Sequence, residues 1–370
     1  MSTTQSHSPA TTTISTPAAV IRPFVEAHVL AGTVTVVASR EKILSLEATG
    51  FADIEAGRPM APDTMFWIAS QTKPMTATAL MMLVDEGRLT LDDAVEKFLP
   101  EFKGQMVIAE KDDEHVLLKK PQHPITVREI LSHTAGLPFV SPIETPTVDM
   151  LPIETVVRAH AMRPLLSEPG TKYEYSNAGT NTAGRLIEVL SGMSYEEFMQ
   201  ARLFEPLGMT DTVWVLSDEQ DARMAKTYKA NDEKTALVEA RDWQLFYPLT
   251  DRRRQPFPAG GLFSTVGDVT RFCQMILNGG VLDGRRYVSE ESIKQMSSKQ
   301  TGDKVEAKYG LCWGMENGCF GHSGALATNM TIDPQRGIAM VFLVQRAGSI
   351  DDVREAYYAA GREWVDGGCV

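Results

Sequence analysis

The segment Ile68–Gly87, IASQTKPMTATALMMLVDEG, constrains the fold more than any other. From Ala79 to Val84 its residues are apolar without a break. A helix that is hydrophobic on every face must be surrounded by protein rather than laid on a surface. Gly87 supplies the residue type that ends such a helix. The remainder of the 370 residues, 43% of the chain being hydrophobic, must therefore wrap it, and the length is ample for that.

The wrapping material comes in two kinds. AGTVTVVASREKILSLEATGFAD alternates apolar residues around a charged turn at Ser39–Lys42 and reads as a β-hairpin. Near the other end, YGLCWGME, ALATNMTIDP and GIAMVFLVQ read as strands, and Asp351 to Asp366 as a closing amphipathic helix. Between Thr90 and Asp251 the segments LDDAVEKFLPEF, ITVREILSHTAG, NTAGRLIEVLSG and SYEEFMQARLFEPLG read as helices parted by Pro- and Gly-marked loops. A further helix, TVGDVTRFCQMILNGG, has Asp268 in its first turn and Asn278-Gly279 at its end. The expected fold is α/β (α+β), an antiparallel sheet assembled from both chain ends and flanked by helices. Residues 16–89 plus 252–370 form its α/β domain, residues 90–251 an inserted, mostly helical domain, and residues 1–15 a disordered Ser/Thr-rich tail.

A formal net charge of −12 argues against nucleic acid and anionic membranes as partners. No apolar run approaches the ~18 residues of a membrane helix, and the N-terminus lacks the apolar stretch of a secretory signal. A cytoplasmic location is the expectation. Cys273, Cys312, Cys319 and Cys369 form no C-x-x-C pair and no histidine lies at zinc-finger spacing, so a structural metal is not expected. Cys312 and Cys319 could bridge a tight loop, but free thiols in a reducing compartment are the expectation, with no cofactor.

Chemistry enters with Ser70 and Lys73. At ordinary residue frequencies a chain this long holds about one S-x-x-K by chance, and this one holds a second, Ser39-Arg40-Glu41-Lys42, across the hairpin turn. On a helix, residues three apart share a face, so Lys73 can reach the Ser70 hydroxyl. Burial beside Phe66-Trp67-Ile68 lowers a lysine pKa, and a neutral amine can accept the serine proton. A Ser cap beside an exposed lysine remains the alternative on this segment alone. Tyr175-Ser176-Asn177 is the chain's only Y-x-N. A tyrosine there can shuttle a proton and an asparagine two residues on can hold Lys73 or a carbonyl; a plain turn is the alternative. His322-Ser323-Gly324 reads as leading into a strand whose backbone N–H can serve an oxyanion. Gly321-His322-Ser323-Gly324-Ala325 also approaches a G-x-S-x-G elbow, but that elbow requires a following helix, and ALATNMTIDP does not supply one.

In this order and context, S-x-x-K, Y-x-N and H-S-G resemble the serine β-lactamase and penicillin-binding-protein superfamily. The resemblance is to its class C-like branch, and most of all to the family VIII carboxylesterases. ITVREILSHTAGLP, EPGTKYEYSNAG, FEPLGMTDT and PAGGLFSTVGDVTRFCQMILNGG support it over about Phe24 to Asp366. The resemblance implies a catalytic site in the cleft between sheet and helical region. It assigns Ser70 as acylated nucleophile, Lys73 as base, Tyr175 as proton shuttle and Asn177 as partner of lysine and substrate. His322, Ser323 and Gly324 form the third motif, and the backbone N–H groups of Ser70 and Ala325 the oxyanion hole. Gly260, Gly261 and the histidines other than His322 are assigned to structure, His133 to a packed turn.

The departure from the superfamily is His322, where β-lactamases and transpeptidases usually carry the lysine of K-T-G. Losing a fixed charge weakens selection for anionic substrates, although Arg346 offers a way to restore one. The expectation is a serine hydrolase (carboxylesterase) cleaving short-chain acyl esters, its partner a small-molecule ester and its oligomeric state undefined. β-Lactamase, D-aminopeptidase or DD-peptidase and acyltransferase activities on the same residues are the alternatives, with a penicillin-binding protein lacking turnover as the remote one.

Overall fold

The computed structural model describes residues 16–145, 147–241 and 244–368. The tail expected over residues 1–15 and the thiol of Cys369 lie outside the described residues. Strands β1 (Gly32–Ser39), β2 (Ile43–Asp53) and β3 (Arg58–Pro59) come from the N-terminal side. Strands β4 (Gly314–Glu316), β5 (Cys319–Ser323), β6 (Asn329–Asp333) and β7 (Ile338–Leu343) come from the C-terminal side. They form one antiparallel sheet in the order β4-β5-β6-β7-β1-β2-β3. The chain ends are therefore zipped together at the β1–β7 pair, from Val34 opposite Leu343 to Ser39 opposite Ile338.

This seam is buried on both faces. Val34, Val36, Ala38, Ala339, Val341 and Leu343 enter one core, while Val37, Ile338, Met340 and Phe342 enter another. The period of two in a strand makes that division automatic. Each aliphatic side chain so buried contributes about 1.5–3 kcal/mol. Helix Val266–Leu277 covers the first face and helix Asp351–Asp366 the second. Thr265 caps the former by accepting the Asp268 amide. The Asp268 carboxylate turns away, accepting from the Asp211 amide and the Thr212 hydroxyl.

Helix α1 (Thr72–Asp85) is buried at every position from Thr72 to Leu83, as its all-round apolarity requires. Gly87, at φ +70°, ends it, with Gly87 N–H donating to Val84 O and Arg88 N–H to Leu83 O. Helix α2 (Asn177–Ser191) packs directly against α1.

Four local readings differ from the structure. LDDAVEKFLPEF forms two 3₁₀ turns, Val95–Lys97 and Pro100–Phe102, in place of a helix. Pro100 keeps Leu99 out of the helical region, at φ −120° and ψ 84°, and interrupts the helix. The region between Thr90 and Asp251 also holds two hairpins, Val107–Lys111 with Val116–Lys119 and Tyr228–Ala230 with Leu237–Glu239. In YGLCWGME only Gly314–Glu316 is a strand, Cys312 lying at φ +60°. In ALATNMTIDP the first four residues form a turn and the strand starts at Asn329. The H-S-G motif therefore ends β5 rather than opening a strand. No helix among the described residues is long and apolar enough to cross a membrane.

Candidate active site

Ser70 is presented by a strained turn. The strand Phe66–Trp67 pairs with Phe263–Ser264, and Ile68 N–H donates to Leu262 O. Ala69 then adopts φ +45°, a conformation costing a residue with a side chain about 1–2 kcal/mol. The Thr72 hydroxyl donates to Ala69 O at 2.7 Å and accepts from the Leu262 amide at 3.2 Å, holding the bend in place. Ser70 sits in the 3₁₀ turn Ala69–Gln71 that follows, before α1 begins. It is not the helix cap: that position is Gln71, which makes no side-chain capping bond.

Lys73 is wholly buried and its ammonium faces three acceptors. Asn177 Oδ1 lies at 2.8 Å, Ala259 O at 2.6 Å and Ser70 Oγ at 3.1 Å. Asn177 Oδ1 and the Ala259 carbonyl can only accept, so they fix two N–H directions. The third direction points at Ser70 and carries either a proton or the lone pair. Desolvation brings the Lys73 pKa down to about 7, so both forms are populated at neutral pH. The same nitrogen stands 4.7 Å from the centre of the Tyr175 ring. Burial pushes the Tyr175 phenol well up, opposed by a hydrogen bond with the Ser70 hydroxyl. Tyr175 therefore rests as the neutral phenol.

The Y-S-N segment is held from behind. Ser176 donates its hydroxyl to Pro138 O and its amide to His133 Nδ1, and Asn177 N–H donates to Phe139 O. Extended backbone at Ser176 turns the central residue to this wall, while Asn177 opens α2. His133 lies at φ +58° at the C-cap of helix Val127–Ser132, in the packed turn expected for it. Its ring also packs on Tyr175, with centroids 4.6 Å apart. Burial, followed by the charges of Lys73 and His322, holds its pKa well below the ordinary value.

The third motif meets the first at Gly324. A Cβ there would stand 2.2 Å from Thr328 Oγ1 and 2.4 Å from Ile68 O, so only glycine lets β5 close on the segment before Ser70. His322 Nδ1 lies 2.7 Å from Ser323 O and Nε2 lies 3.1 Å from the Tyr309 hydroxyl. A carbonyl only accepts, so Nδ1 carries the proton and Nε2 accepts from Tyr309. Burial first, then the charge on Lys73, brings the His322 pKa to about 3. The imidazole is neutral. Ser323 is exposed and accepts from Asn329 Nδ2 at 2.8 Å, with a turn rather than a helix after it. The Ala325 amide meets no acceptor among the described residues.

A cleft of about 1070 Å³ is lined by Ser70, Tyr175, His322 and Ser323 together with Lys308, Arg354 and Arg362. The structure thus brings together Ser70, Lys73, Tyr175, Asn177 and His322. It keeps Arg346 away: that side chain is bonded to the carbonyls of Val29 and Ala347 and does not line the cleft. The expected charge-restoring role is corrected accordingly. Cys312 and Cys319 are free thiols, as read. Ala259, Tyr309 and the second role of His133 were not apparent from the sequence. Ala259 acts through its backbone carbonyl, which no residue type announces. Tyr309 and His133 carry no motif linking them to the site.

Residues 18–362 match the Beta-lactamase family model, and the chain belongs to that family, as a β-lactamase-fold serine hydrolase. It is similar to esterase EstB of Burkholderia gladioli, 34% identical over 274 residues that cover 67% of this chain and 66% of that one. It is similar as well to the lovastatin esterase of Penicillium rubens, 30% identical, with 71% and 67% of the two chains covered. Among solved structures, EstCE1, a hydrolase with promiscuous acyltransferase activity, superposes with a TM-score of 0.77 at 23% identity. That superposition covers 94% of this chain and 97% of the other. At that identity the likeness speaks to the fold.

Proposed function

We propose that the chain is a carboxylesterase that cleaves short-chain acyl esters through an acyl-enzyme on Ser70. The observation that carries the reading is the neutral His322, bonded to Ser323 O and Tyr309, where an anion-binding cation would otherwise stand beside Ser70. An uncharged ester meets no uncompensated group there, whereas a carboxylate would lose its partner. The similarity to two esterases supports the same reading.

In acylation, neutral Lys73 takes the Ser70 proton along their 3.1 Å contact while Oγ attacks the ester carbonyl. Ser70 lies in the first turn of a helical segment, where backbone N–H groups have no carbonyl behind them. Its amide and that of Ala325 then stabilise the oxyanion. Collapse expels the alkoxide, which receives a proton from the Tyr175 hydroxyl, and Lys73 replenishes that proton. A neutral phenol with a raised pKa is suited to donating in such a relay and unsuited to acting alone as base. Water then repeats the sequence on the acyl-enzyme and releases the acid.

One observation favours a different substrate. Arg354 Nη1 lies 3.5 Å from Ser323 Oγ, although its guanidinium is already paired with Asp351. Anionic β-lactams or peptide termini are the competing class. Parallel kinetics on p-nitrophenyl butyrate, nitrocefin and a D-alanine amide separate the two, with the ester expected to have the largest kcat/KM. Efficient turnover of the lactam or the amide without the ester overturns the proposal.

A further inference from the structure

We infer that Glu144 and Asn181, neither of which lines the cleft, are positioning residues for Lys73 that act through the backbone of Ala259. Lys73 Nζ donates to Ala259 O at 2.6 Å, Ala259 N–H donates to Asn181 Oδ1 at 3.2 Å, and Asn181 Nδ2 donates to Glu144 Oε1 at 3.3 Å. All three side chains in this relay are buried. The inference rests on Lys73 acting as the base.

Each link has a chemical reason. A carboxylate only accepts, so Glu144 fixes the Asn181 amide with its NH₂ outward and its oxygen toward Ala259. Without Glu144 that amide is free to flip and set donor against donor at Ala259. Capping explains one carboxylate oxygen: Oε2 accepts the Ser141 amide at 2.6 Å and stands 3.2 Å from His160 Nε2. It leaves Oε1 unexplained, and burying a carboxylate in a core is costly unless its bonds do something specific.

The backbone on either side of Ala259 is fixed too. Pro258 O accepts from the Thr76 hydroxyl at 2.8 Å, and Gly260 O from Trp67 Nε1 at 2.8 Å. The carbonyl between them is left aimed at Lys73. Asn177 and Asn181 stand four residues apart on α2 and share a face. One holds the lysine directly and the other holds it through Ala259. Both fixed acceptors of Lys73 therefore trace back to one helix face, and Glu144 sets the orientation of the remoter one.

The test uses the full chain and a p-nitrophenyl alkylphosphonate, which labels a nucleophilic serine once and releases p-nitrophenolate. An inactive fraction that does not refold during labelling lowers the amplitude and not the first-order constant, and the pH of the acid limb reports the lysine rather than the folded fraction. Asn181→Leu keeps the volume and removes both bonds; Glu144→Gln is the milder variant. Labelling at the pH plateau is expected to slow about tenfold or more in Asn181→Leu, and less in Glu144→Gln.

The acid limb of the labelling profile is expected to move to lower pH. A loosened carbonyl stabilises the ammonium form of Lys73 less, which lowers its pKa. His133, His322, Tyr175 and Cys312, the titratable groups near Lys73, are untouched in both variants. Wild-type constants with an unmoved limb in both variants overturn the inference, even if their melting temperatures fall. If the wild type labels at Ser70 but turns over no ester, the esterase proposal fails and this one stands. If Ser70 does not label at all, both fail.

Discussion

The chain contains the same four-residue pattern twice, and the two copies have nothing in common but their letters. At Ser39–Lys42 the pattern spans a hairpin turn in which the Ser39 hydroxyl donates to Lys42 O and accepts from the turn amides. Lys42 there is exposed, and the Ser39 hydroxyl is engaged by the turn backbone rather than by the lysine. At Ser70–Lys73 the pattern begins a helix enclosed on all sides, and the serine meets the lysine amine instead of the backbone. What separates them is desolvation together with two fixed acceptors, neither of which is local. The same letters therefore meet different surroundings, and the surroundings are what the fold supplies.

The largest effect tests the contrast directly. Ser70→Ala should lower kcat on p-nitrophenyl butyrate by on the order of 10³-fold or more, while Ser39→Ala leaves it within error. Equal losses in the two variants would erase the distinction drawn here.

Lys73→Met should also abolish turnover, and it sharpens the contrast through stability. Folding lowers the Lys73 pKa from 10.5 to about 7. The unfolded chain binds the extra proton between those values, so this burial opposes folding by up to about 5 kcal/mol below pH 7. The penalty fades as pH rises toward 10.5. Losing the amine also strands the acceptors Asn177 Oδ1 and Ala259 O, which costs about 1–3 kcal/mol each. Urea unfolding should therefore find the stability of Lys73→Met relative to wild type higher at pH 6 than near pH 10, by up to about 5 kcal/mol. Lys42→Met should change stability by less than about 0.5 kcal/mol at either pH.

The smallest effect concerns substrate choice. His322→Lys places a cation where the neutral imidazole stands. The ratio of kcat/KM for an anionic ester to that for its neutral analogue should rise about tenfold. No change in that ratio would mean that the charge at this position does not read the substrate.

Much of the fold could be read in advance, for reasons that differ by element. Helix α1 was legible because all-round apolarity has one structural meaning. The β1–β2 hairpin and the helix Asp351–Asp366 were legible because period and turn chemistry agree. LDDAVEKFLPEF was misread because one proline outweighed a helical pattern, and ALAT because four alternating residues do not fix a strand. Ser70, Lys73, Tyr175, Asn177 and His322 were each named from motifs, and the fold gathers them, with Ser70, Tyr175 and His322 lining the cleft and Lys73 and Asn177 bonded behind Ser70.

By itself, then, the sequence determined which side chains are the candidates for chemistry and which segments must be buried, since both follow from residue type and local period. Only the tertiary structure decided their protonation. Lys73 is near neutrality because the surrounding core removes its water and Asn177 and Ala259 leave one direction open toward Ser70. His322 is uncharged because burial and the nearby lysine disfavour a second charge, and Tyr309 takes the acceptor nitrogen. A pKa is the free energy of a charge in its surroundings, and here those surroundings are residues far apart in the chain.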